Sequence, residues 1–283
     1  KVHMINVSFL VPTMRKEFGG CAGNIAYNLH LLGANSIPMA TVGEDFAPYL
    51  SWMERHHMNT THIKVIEDAY TGQAFITTDM DDNQITAFHP GAMGESHQNK
   101  VSDASNADIG IVSPDGRDVM IEHAQQFHEA QIPFIFDPGQ GLPMFSGEEL
   151  ITFIEQATYV AMNDYESQML QDKTGLDLAT LASKVEAFIV TKGGEGSEIY
   201  SSGEVINIAP AKADATQDPT GCGDAYRAGL LYGLMNNMDW KTTGQLAGLL
   251  GAIKIAHLGT QNHSFNMNEI EKLYQDNYGE SLF

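Results

Sequence analysis

Four short apolar segments recur between residues 107 and 191, and their spacing constrains the fold more than any other feature of the chain. They read ADIGIVS, IPFIFDP, ATYVAMN and VEAFIVT, and begin at Ala107, Ile132, Ala157 and Val185. Each ends in polar or turn-forming residues. Asp118–Ala130 and Gly147–Gln156 offer intervening helices, and Leu178–Lys184 a shorter one. This recurrence predicts an α/β fold, with a mostly parallel sheet covered by helices. Ligands of such a sheet collect outside the carboxyl ends of its strands.

The flanking regions follow other periods. In GGCAGNIAYNLHLLG, Gly19–Gly33, the residues Ile25, Leu29 and Leu32 recur at helical spacing, so a glycine turn feeds a buried helix. Ala69–Asp79 and Gln84–Phe88 favour extended structure around the polar turn MDDN, which predicts a β-hairpin suited to an exposed sheet or lid. Thr191–Tyr200, TKGGEGSEIY, reads as a strand leaving the core, a glycine turn and a return strand. Helices are expected over Gly221–Met235, Leu246–Leu258 and Asn268–Tyr278, and Val2–Val11 is an apolar-rich opening. No internal repeat or low-complexity linker divides the 283 residues, a length that suits one large α/β domain.

Composition narrows the function. Fifteen basic against 36 acidic residues give a formal net charge of −21, which disfavours a nucleic-acid polymer as partner. A small phosphate-bearing ligand remains compatible, because a few amides build an anion site inside a negative protein. Cys21 and Cys222 are the only cysteines, too few for a disulfide framework and without the CxxC spacing of a zinc site. No apolar run reaches the roughly 18–20 residues that span a bilayer. Lys1–Gly20 lacks a signal-peptide organisation, so a cytoplasmic protein without a membrane partner is expected.

Chemistry concentrates in DPTGCGDAYRAG, Asp218–Gly229. Pro219 stiffens the approach, and Gly221 and Gly223 permit backbone positions that side chains would obstruct. The first helical turn leaves amides without intrahelical partners, so Gly221, Cys222 and Gly223 are candidates to surround a phosphate at the positive helix end. Asp224 is placed to accept a proton from an attacking hydroxyl, and the helix end is expected to favour its ionised form. An equally good local reading is that Asp218 or Asp224 caps the helix.

Two segments together resemble the signatures of the ribokinase-like, or PfkB-type, family of carbohydrate and nucleoside kinases: Gly19–Gly33 the first, and DPTGCGDAYRAGLLYGL at Asp218–Leu234 the second. The resemblance implies a three-layer fold with a small β lid, over approximately residues 64–90, within a single catalytic domain. It implies Asp224 as catalytic base, and Gly221, Cys222 and Gly223 as the anion hole, with Cys222 acting through its backbone. NDYE, Asn163–Glu166, matches the family pattern that organises Mg2+, its water and phosphate, although a helix cap explains the same residues. Thr191, Gly193 and Gly196 match the turn of the ATP site, and Gly19, Gly20 and Asn24 fall beside the acceptor. A monovalent cation such as K+ near the anion loop is a further family expectation.

Relatives usually begin with a strand and an acceptor-contacting Asp that have no unmistakable counterpart before Gly19, so these are expected upstream of Lys1. The segment Ala74–Met93 is closest to adenosine-kinase-like bacterial members, where Phe75 and Phe88 would offer faces to a purine and Gln73 or Gln84 would meet its edge. The same phenylalanines also suit an ordinary hairpin. The expected activity is therefore ATP-dependent phosphorylation of adenosine at its 5′-hydroxyl, giving AMP and ADP. The alternatives are a kinase for ribose or another small sugar, and a catalytically inactive nucleoside or sugar sensor. A monomer and a homodimer are both compatible.

Overall fold

The structure, a computed structural model, describes residues 10–78, 84–104 and 106–283. The MDDN turn and most of the Val2–Val11 stretch lie outside them. In chain order the elements are α1 (Cys21–Leu31), β1 (Met39–Val42), α2 (Ala47–Arg55), β2 (His62–Val65), β3 (Gln73–Thr78), β4 (Gln84–His89), β5 (Gly110–Val112), α3 (Arg117–Glu129), β6 (Phe134–Phe136), α4 (Gly147–Gln156), β7 (Tyr159–Asn163), α5 (Asp164–Thr174), α6 (Leu178–Ala182), β8 (Ala187–Thr191), β9 (Ser197–Ser201), β10 (Glu204–Ile208), α7 (Cys222–Met235), α8 (Trp240–Ile255) and α9 (Met267–Tyr278).

A six-stranded sheet runs in the order β10-β9-β8-β7-β6-β5. Strands β5 to β8 are mutually parallel, while β9 and β10 are antiparallel additions. The four apolar segments are those parallel strands. Their side chains alternate between two cores. Ile135, Ala161 and Ile189 point to the side of α1, α7, α8 and α9, whereas Phe134, Phe136, Val160, Met162, Phe188 and Val190 point to the side of α3 to α6. Burial on both faces explains why these strands carry no polar alternation. Phe136, fully buried and stacked on Phe153 at 4.3 Å, typifies this packing; truncating such a phenylalanine costs about 3–5 kcal/mol.

The ends of α4, α5 and α9 are set by capping boxes in which Ser146, Asn163 and Asn266 pair with Glu149, Glu166 and Glu269. Helix α8 begins six residues before the expected Leu246. Asp239 accepts from the Thr242 amide there, a cap that outweighs the poorly apolar WKTTG turn. Helix α2 and the small parallel pair β1–β2 were not foreseen, and α5 only through the cap reading of Asn163–Glu166. Their apolar positions are sparse, and α2 buries only Met53.

Hairpin β3–β4 stands apart as its own two-stranded sheet, as the alternating sequence predicted. Extended pairing begins at Gln73, later than the expected Ala69, because the 69–72 segment turns against Gly43 and Gly91. Phe75, Ile76, Ile85 and Phe88 are all largely exposed.

Candidate active site

The carboxyl ends of β6, β7 and β8 present Asp137, Asn163 and Thr191 side by side, with Asn163 and Thr191 directly paired across β7 and β8. Thus the residues expected at the metal and nucleotide sites, distant in sequence, meet at one sheet edge. Beyond Thr191, Gly193 and Gly196 adopt left-handed conformations. At Gly196 a Cβ would fall 2.1 Å from the Ile208 carbonyl oxygen, so only glycine lets the turn close here.

Two helix N-termini, both led by glycine, meet beside this edge. Gly20 precedes α1 with φ 88° and Gly221 precedes α7 with φ 83°, and neither helix has a side-chain cap. The capping reading of Asp218 and Asp224 is therefore not what the structure adopts. Asp218 instead accepts from the Thr220 and Gly259 amides. Among the described residues the Gly221 and Gly223 amides meet no acceptor. The Cys222 amide does, bonding to the Pro219 carbonyl at 3.1 Å. Within the expected trio, the turn that brings the chain into α7 occupies the middle amide. Burial also pushes the Cys222 thiol up to about 11, so it stays protonated and unreactive.

Asp224 lies on the first turn of α7 and accepts from Asn24 Nδ2 at 2.7 Å, joining the two helices. Its pKa is raised, contrary to the expected effect of the helix end. Burial is the largest cause, the Asn24 hydrogen bond opposes it, the charge of Asp137 adds to it and that of Arg227 subtracts. Asn24 is itself buried, and its Oδ1 accepts from Gln261 Nε2 at 2.8 Å. The side chain expected to read acceptor hydroxyls thus holds Asp224 in place. Gly20 is exposed with open space where a Cβ would stand, and Gly19 accepts at its carbonyl from the Tyr49 hydroxyl.

Asn163 Oδ1 accepts from the Glu166 amide and Glu166 Oε2 from the Asn163 amide, so the cap reading of this pair is realised. The other Glu166 oxygen has no donor among the described residues, and burial raises the pKa of this carboxyl against the Asn163 bond. No group of three His, Cys, Asp or Glu gathers as a direct metal site among the described residues. One carboxylate oxygen facing a polar edge suits Mg2+, which retains waters and phosphate ligands.

Phe75 and Phe88 do not act as a pair. In the hairpin register Phe75 is opposite Ala87 and Phe88 opposite Ala74, so the two rings project from opposite faces. One ring at most meets a given ligand. The Gln73 amide donates to Asp45 rather than standing free, and the side chain of Gln84 lies outside the described residues.

Sequence reading missed the supports below Asp224. Arg227, one turn further along α7, is buried and donates to Asp137 at 2.9 Å. Burial works against its charge, but Asp137, with smaller contributions from Glu166 and Tyr226, outweighs this and raises its pKa. Its Nε and Nη1 have no protein partner among the described residues. The polar termination of IPFIFDP and the Arg three residues after Asp224 were the available signals, though neither specifies a pairing across 90 positions. The 257–263 loop was missed as well. Thr260 packs against Gly221 and donates to the Phe18 carbonyl, and Gln261 bridges Asn24 and Tyr49.

The profile of the pfkB family carbohydrate kinases matches residues 4–266. The chain belongs to this family. Among similar pfkB-family proteins is the nucleoside kinase of Methanocaldococcus jannaschii, 32% identical over 261 residues, covering 91% of this chain and 85% of the relative. The crystal structure of that protein, described as an archaeal member of the ribokinase family, superposes with a TM-score of 0.90 at 30% identity, over 98% of this chain and 92% of that one. The Burkholderia thailandensis nucleoside kinase in complex with inosine gives a TM-score of 0.94 at 49% identity, over 99% of this chain and 92% of that chain. Its ADP-inosine complex gives 0.92, again at 49% identity, over 99% and 88%. The fold is ribokinase-like throughout.

Proposed function

We propose that this pfkB-family kinase transfers the γ-phosphoryl group of ATP to the 5′-hydroxyl of a purine nucleoside, with adenosine giving AMP and ADP. The observation that carries the reading is the meeting of Asp224 and Asn24 where two uncapped, glycine-led helices converge. Support for a nucleoside acceptor comes from the two relatives named above, both nucleoside kinases, one of them complexed with inosine and with ADP-inosine. Inosine differs from adenosine only at the purine 6-substituent.

In this mechanism the nucleoside lies over Gly19 and Gly20, close to Asn24, with its 5′-oxygen facing Asp224. That oxygen attacks the γ-phosphorus, the bond to the bridging β–γ oxygen breaks, and the hydroxyl proton passes to Asp224. Burial makes Asp224 a stronger base than an exposed aspartate, while Asn24 and Arg227 favour its charged form. The Gly221 and Gly223 amides, with the α7 dipole behind them, receive the charge on the transferred group. Thr191, Gly193 and Gly196 bound the nucleotide side. Glu166, oriented by Asn163, faces the phosphates, and Mg2+ held there with water would supply charge neutralisation. Hairpin β3–β4 covers the nucleoside with one of its two apolar faces and limits access of water.

Steady-state assays with ATP and adenosine, inosine, ribose or fructose test the acceptor. Nucleosides are expected to exceed free sugars in kcat/KM by roughly a hundredfold or more, the value of positioning by the base. Turnover of ribose or fructose without turnover of any nucleoside overturns the assignment.

A further inference from the structure

Lys254 is completely buried at the carboxyl end of α8, yet no carboxylate lies within ion-pair distance of it among the described residues. Isolating an ammonium in this way is costly unless oxygen ligands replace its water. Two do so. Nζ donates to the Asp218 carbonyl at 2.6 Å and to the His257 carbonyl at 3.1 Å. It also stands at the negative end of the α8 dipole; burial lowers its pKa, and the Asp218 carboxylate further away opposes that shift.

Both carbonyls belong to the segments that shape the anion loop. Asp218 opens the loop that runs to Gly221, and its carboxylate fixes the Thr220 and Gly259 amides. The Gln217 and Asp218 amides bond to the Ile255 carbonyl, next to Lys254 in the chain. Thr260, just past His257 and Gly259, packs on Gly221. The ammonium therefore closes the junction between the loop and the end of α8 from inside. Backbone carbonyls turned inward on one positive charge are also the means by which proteins hold a desolvated monovalent ion. Here two such oxygens are already taken, so the expected K+ beside this loop does not fit at these carbonyls.

We propose that Lys254 is a built-in cation that positions the Gly221 anion loop, making phosphoryl transfer independent of K+. Lys254 is a positioning residue, since it acts through the Asp218 and His257 carbonyls rather than on the substrate. The proposal rests on the reading of this loop as the phosphate site.

The test compares wild type with Lys254→Met, whose side chain replaces the apolar stem, carries no charge and stops short of the ammonium position. Turnover with ATP and adenosine, and thermal unfolding of the protein alone, are followed while KCl replaces tetramethylammonium chloride at constant ionic strength. Wild-type turnover and Tm are expected to be the same in both salts. The variant in tetramethylammonium should lose at least roughly tenfold in turnover through the displaced loop. KCl or NH4Cl should restore much of this and raise the variant Tm by about 2–4 °C. A purely structural role predicts a loss that no small cation reverses. That result, a folded variant with full turnover in tetramethylammonium, or a wild type activated by K+ would each overturn the proposal. If Lys254→Met does not fold, the wild-type response decides: a flat profile supports the proposal and K+ activation overturns it. The thermal measurement needs no acceptor, so it stands even if the nucleoside reading fails.

Discussion

The floor beneath Asp224 and the β3–β4 hairpin are built by opposite rules. On the floor, Asn24, Asp218, Arg227, Lys254 and His263 are buried polar groups, each held by named partners on other elements. In the hairpin, Phe75 and Ile85 on one face and Ile76 and Phe88 on the other are largely exposed, and pairing between the two strands holds them. A buried polar group must find its partner or destabilise the fold, so the floor has one arrangement. An exposed hairpin bears no such penalty and is free to vary its side chains. In the proposed mechanism the floor carries the chemistry and the hairpin the choice of acceptor.

The comparison breaks most easily at Asp224. Asp224→Asn keeps the shape and the contact with Asn24 but removes the base, so kcat should fall by about 10²–10⁴-fold while the far-UV spectrum stays native. Next comes Gly221→Ala. The left-handed backbone there costs about 1–2 kcal/mol for any residue with a Cβ, which would also press on Thr260 at 3.0 Å. A displaced anion loop should lose roughly a hundredfold in turnover.

Acid sharpens the contrast through His263. This fully buried ring faces Asn28 Oδ1 through Nε2, and burial lowers its pKa from 6.5 to about 4. The unfolded chain then binds a proton that the folded chain refuses. Stability is therefore complete above the unfolded value and is lost as pH falls from 6.5 towards 4. Urea unfolding should show a loss of roughly 2 kcal/mol from this group between about pH 7 and pH 5, and His263→Gln should remove that increment. The smallest effect belongs to the hairpin. Phe75→Ala or Phe88→Ala should raise KM for the nucleoside by about two- to tenfold for whichever ring meets the purine, and the other should change little. Neither should move Tm appreciably, and equal effects from both rings would contradict the opposite-face register.

The same contrast explains what could be read in advance. Strands β5 to β8 were legible because burial on both faces leaves an unbroken apolar signature. The α1 and α7 N-termini were legible because glycine is needed where the backbone turns left-handed. The partner of each floor residue was not. Arg227 with Asp137, Lys254 with the Asp218 carbonyl and Asn24 with Gln261 join positions 90, 36 and 237 residues apart, and no periodicity links them. The raised pKa of Asp224 escaped for the same reason: local sequence reveals the helix end but not the burial that outweighs it. In the hairpin the error ran the other way. Two aromatic residues invited a shared role that the register divides between faces.

Phosphorus-31 NMR of a reaction containing wild-type protein, ATP, Mg2+ and adenosine tests the central claim most directly. The account predicts that the γ-phosphate signal declines while a phosphomonoester on the adenosine 5′-carbon grows in equal amount with ADP. Inorganic phosphate as the sole product, or an ester at the 2′ or 3′ position, would contradict it.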